Sequence, residues 1–269
     1  MANWAANAGA ISIVSSTNGL AHIVREDDGT ATGTWNDFTL KTAFQPIFAF
    51  EDGKLHVVAY EGLLRAFRNA EPMAPLEFFA AVPAQERLQV ETLARTLHIF
   101  NAAVCFDPAM AVFINFDPSL FTEQAIVDVV LRDMRLVLHE AGVDPRRVVC
   151  ELTEQKTTSQ DALFAFVESL RRNGLRIAVD DYGADESDIT RVRELKPDIV
   201  KFDAAWVARL MDTGAGFALL TALVDSFATR GITTVFEGIE EGWQLELAEK
   251  SGASMVQGFV LARPQIMAG

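Results

Sequence analysis

The sequence predicts an α/β protein whose strands form a largely parallel barrel, and three observations support this prediction. From about residue 43 onward, short apolar runs alternate with amphipathic helical stretches. There are about eight such runs, the number expected when each barrel strand is followed by a helix. Seven of the runs end in an acidic, amide or lysine residue, and functional groups collect at the carboxyl ends of barrel strands.

The first two strands of the barrel are predicted to be antiparallel. AFQPIFAF (43–50) and LHVVAYEGL (55–63) are separated by EDGK, in which Asp-Gly is a hairpin signal. A helical stretch over residues 75–103 follows, and Pro83 is expected to break it.

The rest of the chain continues the alternation of strand and helix. The predicted strands are AVFINF (111–116), RVVCELT (147–153), RIAVDDY (176–182), DIVKFD (198–203), TTVFEGI (233–239) and MVQGFVLA (255–262). The predicted helices are EQAIVDVVLRDMRLVLHEAG (123–142), DALFAFVESLRRNG (161–174), ESDITRVREL (186–195), GFALLTALVDSFATRG (216–231) and GWQLELAEKSG (242–252).

The segment before the barrel is predicted to be an N-terminal extension over residues 1–41, with the barrel occupying 42–269. The extension contains the turn-rich REDDGTATGT and two candidate short strands, AISIV and LAHIV. No residue pattern in it indicates chemistry.

The charge and composition exclude several classes of protein. A net charge of −14 disfavours binding to polymeric nucleic acid, although a small phosphate-bearing substrate is compatible if metal ions supply positive charge. The two cysteines, Cys105 and Cys150, are too few for a disulfide scaffold and lack metal-type spacing. There is no basic region typical of a signal peptide and no apolar run of about 20 residues. We therefore expect a cytoplasmic protein that does not enter the membrane.

The acidic strand ends predict a divalent metal site. Five carboxylates gathered at one end of a barrel would repel one another without cations between them; they belong to Glu61, Glu151, Asp180, Asp181 and Glu237. With the amide of Asn115, they form an oxygen-rich set that favours Mg²⁺ or Mn²⁺, while the absence of histidine at the strand ends argues against Zn²⁺. Any one acid taken alone could equally be a solvated strand end or a helix cap.

Three further polar residues are candidates for the same site, and Glu237 has a possible second role. Lys201 could orient an attacking water or form a structural ion pair, and Glu237 could place that water as well as bind metal. Arg65 suits a phosphate contact but could be an ordinary surface arginine. Gln257 precedes Gly258, where a backbone can approach a ligand closely.

These motifs together resemble the EAL-domain family of cyclic di-GMP phosphodiesterases. YEGLLR carries the family signature as Glu61-Gly62-Leu63, with Gly in place of the usual Ala. The other matching motifs, in family order, are FQPI, FINF, ELTE, DDYG, KFD, EGIE and QGF, and the resemblance covers about residues 42–265.

The resemblance implies a modified TIM (β/α)8 barrel with its first strand antiparallel to the rest, two Mg²⁺ or Mn²⁺ ions, and a homodimer. It implies hydrolysis of cyclic di-GMP to linear pGpG. The implied metal ligands are Glu61, Asn115, Glu151, Asp180, Asp181, Glu237 and Gln257. The implied catalytic residues are Lys201, which orients the water, with Glu237 and Glu61. The implied substrate-binding residues are Gln45, Arg65, Asp203 and Glu240, and the implied loop anchors are Glu154 and Ser187.

The loop after the two aspartates departs from the family pattern. In DDYGADESD, Asp185 replaces a second glycine and Glu186 replaces an aromatic residue, whereas Ser187 is retained. The loop thus gains negative charge beside an anionic substrate. A catalytically silent receptor for cyclic di-GMP is therefore the main alternative, followed by an interaction scaffold and, without the resemblance, an unrelated metal-dependent barrel lyase.

Overall fold

The computed structural model describes residues 21–121, 123–153, 160–184 and 188–267. The candidate strand AISIV, the predicted loop anchors Glu154 and Ser187, and the altered loop positions Asp185 and Glu186 lie outside these described residues.

The strands form one sheet that closes into a barrel. The strands are β1 (Ala21–Arg25), β2 (Ala31–Trp35), β3 (Phe38–Glu51), β4 (Lys54–Arg68), β5 (Glu71–Met73), β6 (Ala111–Phe116), β7 (Val148–Leu152), β8 (Arg176–Tyr182), β9 (Ile199–Phe202), β10 (Thr233–Phe236), β11 (Met255–Val256) and β12 (Gln265–Ile266). Eight of them close in the order β3-β11-β10-β9-β8-β7-β6-β4, because β4 also pairs with β3. β3 is antiparallel to both neighbours, while the other barrel pairings are parallel. The predicted fold class is confirmed.

The helices follow the predicted pattern with one addition. They are α1 (Pro75–Ala81), α2 (Arg87–Cys105), α3 (Gln124–Ala141), α4 (Gln160–Arg172), α5 (Asp188–Leu195), α6 (Ala204–Met211), α7 (Gly214–Thr229) and α8 (Gly242–Ser251). The break at Pro83 separates α1 from α2, as predicted. The addition is α6, which was not predicted and which the side chain of Asp203 caps by accepting a hydrogen bond from the Trp206 backbone N–H at 2.7 Å. None of the described helices is both long and apolar enough to cross a membrane.

The hairpin between β3 and β4 has the geometry that its sequence predicts. Asp52 and Gly53 both adopt positive φ, at 51° and 70°, as a two-residue turn matched to strand twist requires. The two strands then pair from Glu51 and Lys54 as far as Phe38 and Arg68.

The described part of the predicted extension joins the same sheet. β1 covers the predicted strand LAHIV from Ala21 onward, and β2 pairs antiparallel with the start of β3. Asn101 of α2 fastens this hairpin, because its side chain accepts from the backbone N–H of Ala31 and donates to the carbonyl of Ala31. Asn101 also donates to the hydroxyl of Thr42 on β3, so β2, α2 and β3 share one buried polar network.

The barrel interior is filled by one apolar layer that is separate from the larger core between strands and helices. Each barrel strand contributes one side chain to this layer. The contributing residues are Ile47, Ala59, Phe113, Val149, Ala178, Ile199, Val235 and Met255. All are buried, so the barrel is closed beneath its carboxyl end.

Candidate active site

The predicted site residues form the next layer of the barrel interior. Side chains on a strand alternate between its two faces, so a residue two positions from an interior residue also points inward. Moving two positions toward the carboxyl ends of the seven parallel strands gives Glu61, Asn115, Glu151, Asp180, Lys201, Glu237 and Gln257. The remaining strand, β3, runs the opposite way, and two positions back from Ile47 is Gln45. One polar layer thus contains eight of the predicted residues.

Lys201 occupies the centre of this polar layer. Its ammonium nitrogen Nζ lies 2.5 Å from Glu151 Oε1 and 2.6 Å from Glu237 Oε1. Asp180 Oδ1 is 3.3 Å away and Glu61 Oε1 is 3.8 Å away. The lysine side chain is only 1% exposed, so these carboxylates replace the water that would otherwise solvate its charge.

Burial and charge shift the pKa values of the layer strongly. Burial raises the pKa of Glu151 well above its ordinary range, and the nearby Lys201 offsets this only partly. Burial likewise raises the pKa of Glu237 to about 8. Burial alone would lower the pKa of the Lys201 ammonium, but the surrounding carboxylates, Asp180 foremost, raise it well above its ordinary value. One buried cation is therefore shared among more acids than it can neutralise.

An irregularity in β8 brings two consecutive aspartates to the site. The register between β8 and β9 shifts between Val179 and Tyr182. Two residues of β8, Asp180 and Asp181, therefore lie opposite a single residue of β9, Lys201. Asp181 has φ of +56°, outside the extended region, which turns its side chain away from the usual alternation. Carboxylate oxygens of Asp180, Asp181 and Glu237 consequently lie within 4.8 Å of one another.

The donor set fits a divalent cation. Gln257 donates from Nε2 to Glu61 Oε2 at 2.8 Å, which fixes Glu61 and leaves the amide oxygen of Gln257 facing away from that bond. The buried oxygens Gln257 Oε1 and Glu151 Oε2 accept no hydrogen bond from any residue that the structure describes. Buried acceptors without donors are costly unless a ligand satisfies them. Carboxylate and amide oxygens are the ligands that Mg²⁺ and Mn²⁺ prefer.

A cavity opens above part of the polar layer. It is lined by Gln45, Glu61, Glu237, Gly238, Glu240, Gln257, Gly258 and Phe259. Gln45 donates from its side chain to the carbonyl of Ala262 at 3.2 Å, which holds the chain after β11 beside the cavity. Phe259 was not among the predicted site residues, and the signal for it in the sequence is its position directly after Gln257-Gly258.

Three predicted residues lie at the periphery of the layer. Arg65 points inward on β4, four positions beyond Glu61, and donates to the carbonyl of Leu64. Glu240 is exposed at the rim of the cavity. Asp203 caps α6 and is absent from the residues that line the cavity, so its predicted contact with substrate remains a prediction.

The comparison with protein families gives one match. The EAL domain matches residues 35–264, most of the chain. The match begins three residues before β3 and ends just before β12, so it contains the whole closed barrel.

The chain is also similar to an EAL-domain protein, to a probable phosphodiesterase and to a protein seen with cyclic di-GMP. The chain is 28% identical over 229 residues to the uncharacterized EAL-domain containing protein YkuI of Bacillus subtilis, covering 82% of this chain and 54% of that protein. It is 24% identical over 194 residues to the probable cyclic di-GMP phosphodiesterase PdeA of Escherichia coli, covering 72% of this chain and 26% of that protein. The manganese and cyclic di-GMP complex of Klebsiella pneumoniae BlrP1 superimposes with a TM-score of 0.72 at 27% identity, covering 84% of this chain and 56% of that one. The chain thus spans between about a quarter and about half of the length of these relatives.

Proposed function

We propose that this chain, which belongs to the EAL domain family, hydrolyses cyclic di-GMP to linear pGpG with the help of two Mg²⁺ or Mn²⁺ ions. The observation that carries the proposal is the polar layer, in which four carboxylates surround the buried Lys201 and the carboxylate of Asp181 lies beside two of them. Relatives support the substrate, because they include a probable cyclic di-GMP phosphodiesterase and a protein seen with manganese and cyclic di-GMP.

The seven oxygen-bearing residues divide into two groups that could each hold one ion. Asp180, Asp181 and Glu237 already lie close together on one side. Glu61, Asn115, Glu151 and Gln257 supply further oxygens on the adjoining strands. When bound, paired divalent ions activate a water and stabilise the charge that develops on the phosphoryl oxygens.

The remaining residues of the layer act by position and charge. Lys201, held between Glu151 and Glu237, presents N–H donors that can orient the attacking water and offset negative charge. Glu237 and Glu61 flank it and fix the direction in which its donors point. Gln45, Arg65, Glu240 and Asp203 are proposed to contact the dinucleotide around the cavity, and Glu154 and Ser187 to anchor the neighbouring loops.

The first experiment measures turnover of cyclic di-GMP by the purified chain. Product pGpG is separated from substrate by chromatography, with Mg²⁺, with Mn²⁺ and after removal of metal by a chelator. We expect pGpG to form only with metal. Absence of pGpG under all metal conditions would refute the enzymatic proposal, and binding of cyclic di-GMP without turnover would favour the receptor function that the altered DDYGADESD sequence suggests.

One variant tests whether activity depends on the polar layer. Glu61→Ala removes a proposed ligand and should abolish turnover and weaken Mn²⁺ binding, while Glu246→Ala, an exposed acid on α8, serves as the matched control. Full activity of Glu61→Ala would refute the assignment of the site.

A second variant tests the altered loop sequence. Asp185→Gly restores the residue usual in the family and should raise activity or metal affinity if Asp185 lowers them. A homodimer is proposed from the resemblance alone, whereas the cytoplasmic location is proposed from the residue pattern of the sequence.

A further inference from the structure

Three acids of the polar layer come from two different strands and are nevertheless held close together. Carboxylate oxygens of Asp180, Asp181 and Glu237, the three-acid cluster, lie within 4.8 Å of one another. The two aspartates lie near the end of β8, whereas Glu237 directly follows β10, and β9 lies between these two strands in the sheet. The spacing of the cluster therefore depends on what fixes the ends of β8 and β10 relative to each other.

The chain that leaves β9 is hydrogen-bonded to the ends of both neighbouring strands. The backbone N–H of Asp203 donates to the carbonyl of Tyr182, the last residue of β8, at 3.0 Å. The backbone N–H of Glu237 donates to the carbonyl of Phe202 at 3.4 Å. Because the side chain of Asp203 also caps α6, the start of this helix is fixed relative to β8 and β10.

The first turn of α6 (residues 204–207) packs against a glycine on each side. Gly183, after β8, has φ of +103°, and Gly238, after β10, has φ of +62°. A Cβ atom at Gly183 would lie 2.6 Å from Cγ and Cε3 of Trp206, so the indole lies directly against this backbone. A Cβ atom at Gly238 would lie 3.3 Å from Cα of Ala204 and closer still to its Cβ. Both close approaches depend on the absence of a side chain at the glycine.

We propose that the first turn of α6 is a spacer that sets the distance between the two sides of the three-acid cluster, with Ala204 and Trp206 as positioning residues. This inference rests on the proposed function, because it concerns the metal site of that function. Ala204 supports the turn that begins at Glu237, and Trp206 supports the turn that follows Asp181. Neither side chain carries an oxygen or a charge that could bind a metal ion, so each acts through the backbone that it contacts.

Metal selectivity tests the spacer through Ala204→Val, with the affinities for Mg²⁺ and for Ca²⁺ measured by calorimetry. The larger side chain should displace the turn after β10, and we expect the Mg²⁺ affinity to fall about tenfold or more. The Ca²⁺ affinity should fall less, because Ca²⁺ accepts longer and more variable distances to oxygen, whereas Mg²⁺ requires nearly ideal octahedral geometry. Ala205→Val is the matched control, because the adjacent Ala205 is exposed, and it should leave both affinities unchanged.

The contact on the other side is tested with Trp206→Ala and Trp206→Phe. The rings of Tyr182 and Phe202 hold the indole in place, since the centre of each lies 5.8 Å from the centre of the indole. Trp206→Ala should weaken Mg²⁺ binding about tenfold. Trp206→Phe should recover most of this loss, because its ring can still cover the backbone after β8. Trp243→Ala is the control, because Trp243 lies on α8 and is 45% exposed.

The outcomes separate the spacer from the catalytic proposal, and unfolding in urea shows whether each variant folds. A loss in Ala204→Val that is larger for Mg²⁺ than for Ca²⁺ supports the spacer even if the parent chain shows no turnover. Equal losses for the two ions, or no loss, overturn it even if turnover is confirmed, and so does a parent chain that binds neither ion. If Ala204→Val does not fold, the Trp206 variants decide: recovery by Trp206→Phe supports the spacer, and a Mg²⁺ affinity of Trp206→Ala equal to that of the parent chain overturns it.

Discussion

Gly62 occupies the position where the EAL signature usually has alanine, and the structure gives a physical reason for the difference. A Cβ atom at Gly62 would lie 2.8 Å from Cγ, 3.0 Å from Cβ and 3.1 Å from Cδ2 of His98 on α2. The imidazole therefore fills the space of the missing methyl group. Because Gly62 follows Glu61 directly, His98 packs against the backbone beside a proposed metal ligand.

The alanine that is normal for the family should consequently be harmful in this chain. Ordinary van der Waals contact begins at about 3.4 Å, so in Gly62→Ala the ring would have to retreat by several tenths of an ångström. Retreat is opposed by burial, since His98 is 4% exposed, and by the 2.9 Å hydrogen bond between its Nδ1 and the hydroxyl of Thr42. Overpacking of this kind costs about 1–3 kcal/mol, with about 1 kcal/mol more if the hydrogen bond breaks.

A double-mutant cycle measures this coupling. Gly62→Ala, His98→Ala and the double variant are unfolded in urea with and without Mn²⁺, and Mn²⁺ affinity is measured for each. We expect Gly62→Ala to lose about 2 kcal/mol of stability and to bind Mn²⁺ more weakly, and the added His98→Ala to remove most of the extra cost by freeing the space. Additive effects, or a cost of Gly62→Ala below about 0.5 kcal/mol, would refute the packing argument.

Three further predictions concern residues around the layer. Burial lowers the pKa of His98 to about 3 from an ordinary value near 6.5, so between those pH values only the unfolded state takes up this proton. The free energy of unfolding should therefore fall by about 1.4 kcal/mol for each pH unit of acidification in this range. In urea titrations, His98→Gln should lack this contribution to the pH dependence. Arg191 donates to the carbonyls of the two residues after Glu151 at 2.6 and 2.7 Å, so Arg191→Ala should weaken Mn²⁺ binding about tenfold in calorimetry, and unchanged affinity would contradict its positioning role. Asp203→Ala should lower the free energy of unfolding by about 1 kcal/mol, because the hydrogen bond from the Trp206 backbone N–H is lost. A raised KM for cyclic di-GMP in this variant would support the predicted contact of Asp203 with substrate.

The sequence predicted the barrel and its polar layer because both depend on local periodicity. Apolar runs of fixed length and the two-residue repeat of a strand place Glu61, Glu151 and Glu237 on inward faces whatever the details of packing. The hairpin at Asp52-Gly53 followed from its turn chemistry in the same way. Predicting these features does not require knowing which side chains from distant segments are in contact.

Other features depend on contacts between distant segments. His98 and Gly62 are 36 positions apart in the sequence, and nothing local indicates that one fills the space left by the other. The helix α6 was missed because it begins directly after a strand and is only 8 residues long. The exposure of the Phe259 ring beside the cavity likewise depends on how the chain after β11 folds back over the barrel, which no local pattern indicates.

The arrangement of Lys201 leads to a final prediction about how metal and lysine share one electrostatic role. The buried ammonium of Lys201 lies between the acids of the layer, so Lys201→Met should leave Glu151 and its neighbours without this counter-charge. Removing one partner of a buried ion pair costs about 3–5 kcal/mol, and the midpoint of thermal unfolding should fall accordingly without metal. If divalent ions bind the same acids, Mn²⁺ should restore more stability to Lys201→Met than it adds to the parent chain. Equal stabilisation of both proteins by Mn²⁺ would show that the ions bind away from this layer.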